Sequence, residues 1–270
     1  MVQITRPPDH SITRYSDIVS YYAALCARWG PQNWWPAQSG LEVIVGAYLT
    51  QNTNWSNVEK AMANLRRARV LSVKGLREIP LRRLQQLVRP TGYFRQKAQR
   101  LKTFIRYLDR QHGGLLERMF SQPTDQLRAE LLALNGVGPE TADSILLYAG
   151  NHQVFVVDAY TRRILERHEI ITHKTGYEEI RGLIERSLTQ AEASALRFPQ
   201  GGSEPRHPVS RMSRAPRGEL AQHYNELHAL IVRTGNQHCR STPKCEKCPL
   251  RDFLPRKPCT EARVRSSYEG

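Results

Sequence analysis

The sequence predicts an all-α protein, folded as one large helical domain or as two small ones that share a cleft. From Tyr15 to Leu196, apolar residues recur at helical spacing, and the breaks between helices fall at proline and glycine. Neither an alternating run of sheet length nor an internal repeat interrupts this pattern. A chain of 270 residues is long enough to bury a sizeable core in this way. The predicted breaks stand at Pro31, Pro36, Pro80, Pro90, Gly113-Gly114 and Pro123.

Changes in composition divide the chain into five segments. Residues 1–14 form an N-terminal tail, and the helical pattern occupies residues 15–196. Residues 197–218 are rich in Pro, Gly, Ser and Arg and nearly empty of large apolar side chains, so we expect a flexible basic insertion there. A helical pattern resumes in residues 219–260 and leads into four cysteines, and residues 261–270 form a C-terminal tail.

The charge of the chain indicates a polyanionic partner. The net charge is +15, the pI is about 10.0, and the stretch from Arg66 to Arg110 holds 14 Lys or Arg against two acids. Such a surface attracts nucleic acid with an affinity that falls steeply with salt, although a merely solvated basic face is the alternative. The chain contains no run apolar enough to span a membrane and no signal-peptide core at its start. We therefore expect a cytoplasmic protein without a membrane partner.

A glycine-rich hairpin between two helical patterns is the most informative local feature. Gly136, Val137 and Gly138 follow Asn135, and two positions without side chains allow a tight turn and a close approach to a ligand. Pro139 then suits the first position of a helix, whose free amides and dipole favour a phosphate. The unit, residues 126–150, is predicted to be helix, hairpin, helix, because leucines precede the hairpin at helical spacing. These are Leu127, Leu131, Leu132 and Leu134.

An aspartate stands at the start of the next predicted helix. The apolar run Val154 to Val157 ends at Asp158, and a helical pattern follows. Asp is favoured as a helix N-cap, so this position alone predicts a structural role. A carboxylate near a phosphate-binding hairpin also suits catalysis, and the two roles are compatible.

At these residues the chain resembles the helix-hairpin-helix DNA glycosylases, the superfamily of endonuclease III. Their signature is an LPGVG-type hairpin followed about twenty residues later by a VD pair, and here Gly138 and Asp158 are twenty apart. The resemblance extends to Gln51 and Asn52, to Thr91 to Leu101, and to the cysteines. It implies two helical subdomains flanking a DNA-binding cleft, with the hairpin and the aspartate at its mouth. It also implies double-stranded DNA with a damaged base as the partner, bound through Gln51, Asn52 and the hairpin residues Gly136 to Gly138.

Four of the five cysteines predict a metal centre. Cys239, Cys245, Cys248 and Cys259 are spaced C-x5-C-x2-C-x10-C, and four close thiols in a cytoplasmic chain favour a metal over disulfides. Zinc sites usually show two CxxC pairs, and this chain has one. The pattern resembles the [4Fe-4S] loop of the endonuclease III group, whose last interval is shorter. The resemblance therefore implies an iron-sulfur cluster, with zinc as the alternative.

The resemblance assigns the chemistry to Asp158 and removes one reaction. In bifunctional members a lysine second after the hairpin forms a Schiff base with the sugar, and this chain has Glu140 there. A carboxylate cannot form an imine, so water must attack the sugar instead. Asp158 would then oppose the positive charge of the oxocarbenium-like transition state. We expect a monofunctional DNA glycosylase.

Tryptophans suggest which base is removed. Trp34, Trp35, Trp55 and Glu140 resemble the pocket residues of the 3-methyladenine DNA glycosylase III branch. Stacked indoles suit a cationic N-alkylated purine, because the face of the ring is electronegative. Gln51 resembles the residue that fills the gap left by an extruded base. A tryptophan in the core and a glutamine at a helix end are the alternatives.

Other functions remain open at this point. A monofunctional glycosylase for uracil, mismatched thymine or adenine would use the same aspartate with a different pocket. A bifunctional glycosylase/AP lyase would need the missing lysine. A protein that only binds damaged DNA would need neither that lysine nor the aspartate. For the favoured enzyme we expect a monomer in the bacterial cytoplasm, associated with the nucleoid through DNA.

Overall fold

The computed structural model describes residues 10–191 and 207–255, with side chains from Asp17 onward, and within these ranges the chain is helical and contains no β-strand. The all-α prediction is therefore confirmed for the described residues. Each of the predicted breaks falls between helices or in a short 3₁₀ turn. The helices are α1 His10–Trp29, α2 Gly40–Thr50, α3 Trp55–Arg67, α4 Val73–Glu78, α5 Leu81–Val88, α6 Phe94–His112, α7 Leu116–Phe120, α8 Thr124–Leu132, α9 Pro139–Ser144, α10 Ala159–Arg167, α11 Tyr177–Gln190 and α12 Glu219–Gln237. Helix α1 begins upstream of the predicted start at Tyr15.

The chain folds into two compact units, and each is discontinuous in sequence. Unit 1 takes its residues from Met1–Gln32, Val157–Arg206 and His223–Gly270, and unit 2 from Asn33–Val156 and His207–Gln222. The predicted helical segment, residues 15–196, therefore supplies both units.

Unit 1 is built on α1, α10, α11 and α12. Helix α1 packs against α11, and its buried Trp29 lies under the guanidinium of Arg233 from α12. Helix α12 carries polar groups into this core: Tyr22 Oη lies 3.0 Å from His223 Nδ1, and Glu226 accepts a 2.8 Å hydrogen bond from the Gln32 amide. Because these buried groups are hydrogen-bonded, their burial is tolerated.

Unit 2 forms around α2. Nine consecutive residues of this helix, Leu41 to Leu49, are buried, and α2 packs against α3, α6 and α9. Ser39 caps its start by accepting a hydrogen bond from the Glu42 amide. A helix that is apolar on all sides belongs inside a domain, and α2 is the centre of this one.

The predicted helix-hairpin-helix lies within unit 2. Helix α8 leads into the hairpin, Pro139 opens α9 as expected, and the chain continues from α9 into a single π-helical turn, Ile145–Ala149. The turn is buried, with Tyr148 fully covered.

Each helix within the described ranges is too short or too polar to cross a bilayer.

Candidate active site

Of the two hairpin glycines, only Gly136 has a backbone conformation that requires glycine. Gly136 has φ +78°, in the left-handed region, and a Cβ placed there would overlap the guanidinium of Arg100. Gly138 has an ordinary φ of −94°, and a Cβ placed there would meet nothing within 4 Å. Gly138 therefore leaves open space at the start of α9, while Gly136 is required by the turn. Val137, between them, is buried.

Gln51 is tied to the hairpin rather than directed away from it. Its Nε2 donates to Gly136 O at 2.9 Å and to Thr141 Oγ1 at 3.0 Å, and its Oε1 accepts from Arg100 Nη1 at 2.6 Å. Both ends of the carboxamide are therefore engaged, and a gap-filling role would require these bonds to exchange. The neighbouring Asn52 is exposed, with φ +49°.

A buried lysine joins the last turn of α2 to the 3₁₀ turn before α6. Lys97 is 1% exposed, and its Nζ donates to Leu49 O at 3.0 Å and to Thr91 O at 2.7 Å. Burial lowers the pKa of Lys97 to about 8, and the charge of Arg100 adds to the effect. The last turn of α2 leads to Gln51, and the 3₁₀ turn leads to Tyr93.

Tyr93 was not singled out by the sequence analysis. Its side chain is 66% exposed, and its backbone has φ +42° at the start of α6. A groove of about 590 Å³ lies along the same helix and is lined by polar and basic residues. These are Arg95, Gln96, Gln99, Arg100, Thr103 and Asn135. The exposure of the Tyr93 ring and the positive φ of its backbone mark it as a candidate contact residue, and sequence alone reveals neither.

The three predicted pocket tryptophans meet in unit 2. Ring centroids of Trp34 and Trp35 are 5.2 Å apart, and those of Trp34 and Trp55 are 6.2 Å apart. Trp35 meets Trp55 at 5.3 Å with the rings nearly perpendicular, and Tyr148 lies 5.1 Å from Trp35. Trp34–Trp35 and Trp35–Trp55 meet edge to face and the other two pairs are tilted, so a planar base would have to move the rings apart to stack between them. Gly46 makes room for this cluster, because a Cβ there would lie 3.1 Å from the Trp35 ring.

A segment of the predicted insertion covers the same cluster. The ring of His207 lies 5.3 Å from that of Trp34, Ser210 Oγ donates to Trp35 O at 3.0 Å, and the Met212 amide donates to Ala37 O at 3.1 Å. Residues 207–218 are thus anchored on the tryptophan loop, while residues 197–206 lie outside the described ranges. Composition did not reveal this packing, because the contacts join positions about 175 residues apart.

A cavity of about 220 Å³ opens beside Trp35 and Trp55. Apolar and aromatic groups share its wall with ionisable side chains. The wall is formed by Trp35, Pro36, Ala37, Glu42, Gly46, Trp55, Glu59, Met62, Arg66, His207 and Pro208. Glu140 is not part of this wall. It is exposed in the first turn of α9, where an acid suits the helix dipole.

Asp158 is the N-cap of α10, as one of its two predicted roles requires. Its Oδ1 accepts from the Thr161 amide at 2.7 Å and from Thr161 Oγ1 at 2.8 Å. The other oxygen, Oδ2, lies 3.6 Å from Nε2 of the buried His228, and the Asp158 side chain is 12% exposed. Burial lowers the pKa of His228, and the carboxylate of Asp158 opposes that shift. His228 was not singled out by the sequence analysis, because α12 brings it to Asp158 from 70 positions along the chain.

Three of the four predicted metal ligands lie around one small cavity of unit 1. Cys239, Cys245 and Cys248 line it, and His238 lines it too. Within the described residues, no group of three or more His, Cys, Asp or Glu side chains is close enough to hold a metal ion. Cys259 lies outside those residues.

Arginines of α10 hold this cysteine loop in place. Arg163 Nε donates to Cys239 O at 2.7 Å, and Arg167 Nη1 lies 3.3 Å from Cys239 Sγ. Burial raises the pKa of the Cys248 thiol, and Cys239 adds to the effect. Soft thiol donors that face one cavity beside a guanidinium fit a thiolate-ligated cluster in their chemistry.

Comparison with known proteins identifies the family. The model of the HhH-GPD superfamily of base excision DNA repair proteins matches residues 45–190. The chain is 38% identical over 242 residues to a protein of Methanocaldococcus jannaschii named "Putative DNA repair glycosylase", covering 89% of this chain and 96% of that one. It is 27% identical over 228 residues to endonuclease III of Thermotoga maritima, covering 83% and 88%.

Solved structures share the fold. The H. pylori 3-methyladenine DNA glycosylase MagIII, bound to 1,N6-ethenoadenine, superposes with a TM-score of 0.66 and 28% identity, covering 83% of this chain and 97% of that one. A trapped endonuclease III-DNA covalent intermediate superposes with a TM-score of 0.65 at 18% identity, covering 92% and 96%. The chain therefore belongs to the HhH-GPD superfamily of base excision DNA repair proteins, the DNA glycosylases that its sequence resembles.

Proposed function

We propose that this chain is a monofunctional DNA glycosylase that releases an N-alkylated purine such as 3-methyladenine from double-stranded DNA. The observation that carries the proposal is the cluster of Trp34, Trp35 and Trp55 beside a cavity of about 220 Å³. An extruded alkylpurine is planar and cationic, and in the cavity it gains stacking and cation-π energy from Trp35 and Trp55, which line it. The similarity to MagIII, which its structure shows with a modified adenine, supports the same class.

Asp158 supplies the charge that the reaction needs. As the bond from C1′ to the base breaks, the electron pair goes to the base, which leaves as a neutral molecule, and the sugar becomes positive. Oδ1 is held by the helix cap, so Oδ2 is the oxygen that faces the developing charge and accepts a proton from the attacking water. Because burial lowers the pKa of His228, its imidazole is neutral at pH 7 and does not cancel this charge.

The partner is duplex DNA, held through its backbone. The open start of α9 in front of Gly138 and the groove that Arg95 and Arg100 line suit phosphates. We assign to Tyr93 a contact with bases beside the lesion, since its ring is exposed and it precedes Arg95 of the groove by two residues. The monomeric state and the cytoplasmic location remain predictions.

Base release in the absence of strand cleavage is the direct test. Duplexes that each carry one lesion are incubated with the protein, and each product is divided and treated with or without alkali. Release of alkylated purine, with strand breaks only after alkali, is the expected result. Preferential release of uracil, thymine or adenine would replace the substrate that we propose.

The absence of a Schiff-base lysine has its own test. Borohydride should trap no covalent protein-DNA adduct, because Glu140 occupies the position of the nucleophile. A robust adduct would mean that another lysine acts and that the enzyme is a bifunctional lyase. Introducing Glu140→Lys need not create that activity, since the surrounding groups were not arranged for an amine.

The cysteine loop is proposed to hold a [4Fe-4S] cluster through Cys239, Cys245, Cys248 and Cys259. A cluster bound there would cross-link the loop and hold its basic residues toward the DNA backbone, with no part in base release. Purified protein should be yellow-brown with broad absorption near about 400 nm. Colourless protein with stoichiometric zinc would contradict this. Replacing Cys248, within the CxxC pair, should reduce solubility more than replacing Cys259.

A further inference from the structure

Glu59 is an exposed carboxylate in the wall of the aromatic cavity. The other carboxylate there, Glu42, is bound by Arg66, with Nη2 to Oε2 at 2.7 Å and Nε to Oε1 at 3.3 Å. Within the described residues, Glu59 forms no ion pair. The one side-chain hydrogen bond of Glu59 in those residues is from the indole Nε1 of Trp55, at 3.0 Å to Oε1.

Helical spacing explains this contact. Trp55 is the first residue of α3, and Glu59 is four residues later, so the two side chains lie on one face of the helix. The carboxylate holds the rotamer of Trp55 and also places a negative charge at the edge of its ring. A hydrogen bond from an indole N–H to an anion pushes electron density onto the ring, which strengthens its attraction for a cation at its face.

The negative charge of Glu59 is opposite in sign to the net charge of the protein. With a net charge of +15, the chain is arranged to attract phosphates, and an unpaired carboxylate beside a DNA-binding cavity repels them. The same carboxylate attracts a positively charged ligand in the cavity. A neutral base would gain stacking from Trp55 and nothing from Glu59.

We propose that Glu59 determines specificity by selecting a cationic base over a neutral one, through the electrostatic character that it gives to Trp55 and the cavity. This inference rests on the proposed function and adds to it the residue that separates charged from uncharged lesions. Glu59 acts through Trp55 and is a positioning residue rather than a catalytic one.

Two substitutions separate charge from ring placement. Glu59→Gln keeps an oxygen that can accept from the Trp55 indole but removes the charge. Glu59→Asp keeps the charge but is too short to reach the indole from four residues away. Glu117→Gln is the control, because Glu117 is an exposed acid of unit 2 outside the cavity wall, and its loss changes the net charge equally.

The experiment measures three quantities for the wild type and each variant. The first is the single-turnover rate of 3-methyladenine release from methylated duplex DNA at pH 7. The second is the affinity for a duplex carrying neutral 1,N6-ethenoadenine, measured with Asp158→Asn present in every protein so that the base is retained. The third is the thermal unfolding midpoint, which reports any structural damage.

We expect Glu59→Gln to slow release of 3-methyladenine about five- to ten-fold, in the range of one cation-π contact. Its affinity for the ethenoadenine duplex should change less than about two-fold or rise, and Glu117→Gln should change neither. Equal losses on both lesions, or a Glu59→Gln variant that behaves as wild type while Glu59→Asp is impaired, would overturn the inference and leave Glu59 as a support for the ring. If the wild type releases no alkylated purine, the proposed function itself has failed, and the first measurement reveals that independently of Glu59.

Discussion

The surroundings of Asp158 and the tryptophan cluster are built in opposite ways. Asp158 is fixed by Thr161, three residues away, so its geometry is a property of one helix start. The cluster joins residues 34 and 35 to Trp55, Tyr148 and His207, and no short stretch of chain contains it. The difference teaches that in this protein the proposed reactive group is locally encoded, whereas the proposed recognition of the base depends on long-range packing. The two regions should therefore respond differently to substitution.

The largest effect on base release is expected at Asp158, whose geometry is set by its own helix start. Asp158→Asn keeps an oxygen to cap α10 but removes the charge that opposes the oxocarbenium ion, so base release should fall by at least about 100-fold. Single-turnover excision and DNA binding, measured together, check this, and affinity for lesion DNA should stay within a few-fold. Excision near the wild-type rate would show that Asp158 is only a cap.

The next effect is expected in the long-range cluster. Trp55→Ala removes one stacking and cation-π partner and should weaken the complex with 3-methyladenine DNA about ten-fold or more, corresponding to about 1 to 3 kcal/mol. An abasic analogue offers no base to stack and should bind as before. Trp55→Phe is the control, since it keeps an aromatic face. Equal losses on both DNAs would mean that Trp55 serves the fold, and no loss would place it outside the pocket.

Thr161 tests how much the cap itself contributes. Thr161→Ala removes the hydroxyl that donates to Asp158 Oδ1 but leaves the backbone amide, so the carboxylate becomes less fixed while it keeps its charge. We expect base release to slow about three-fold and the free energy of unfolding to fall by about 0.5 to 1.5 kcal/mol. Thr161→Ser should restore both values. A loss as large as that of Asp158→Asn would show that placement, rather than charge, limits the reaction.

Lys97 gives the most specific effect, on the pH dependence of stability rather than on base release. Its pKa is about 8 in the folded protein and about 10.4 when unfolded, so the unfolded chain binds more protons between these values. The cost of burying the charged amine is fully present below pH 8 and is relieved as the pH rises toward 10.4. The slope is at most about 1.4 kcal/mol per pH unit.

Comparison of the wild type with Lys97→Met separates the titration of the Lys97 amine from that of the other ionisable groups. Urea unfolding at pH 7.5, 8.5 and 9.5 should show the stability difference between wild type and Lys97→Met growing with pH in favour of the wild type. A difference that stays constant across this range would mean that Lys97 keeps an ordinary pKa despite its burial.

Sequence alone determined the features whose causes are local. Proline and glycine positions predicted where helices end, because their backbone restrictions act on neighbouring residues. The glycine of the hairpin turn and the cap at Asp158 followed for the same reason. The family was identified from the resemblance of the hairpin and the Val157-Asp158 pair to known motifs. The Trp55 contact with Glu59 was also within reach, since both lie on one helix face four residues apart.

Tertiary structure alone decided which distant residues share a site. The positions of His228 beside Asp158, of His207 over Trp34 and of Arg100 under the hairpin carry no signal in composition or periodicity. The engagement of Gln51 with Gly136 and Thr141 depended on the same packing. The physical reason is that these contacts arise when whole helices bury their apolar faces against one another. A residue's own neighbours in sequence fix its backbone, but the packing of those faces chooses the side chains it meets.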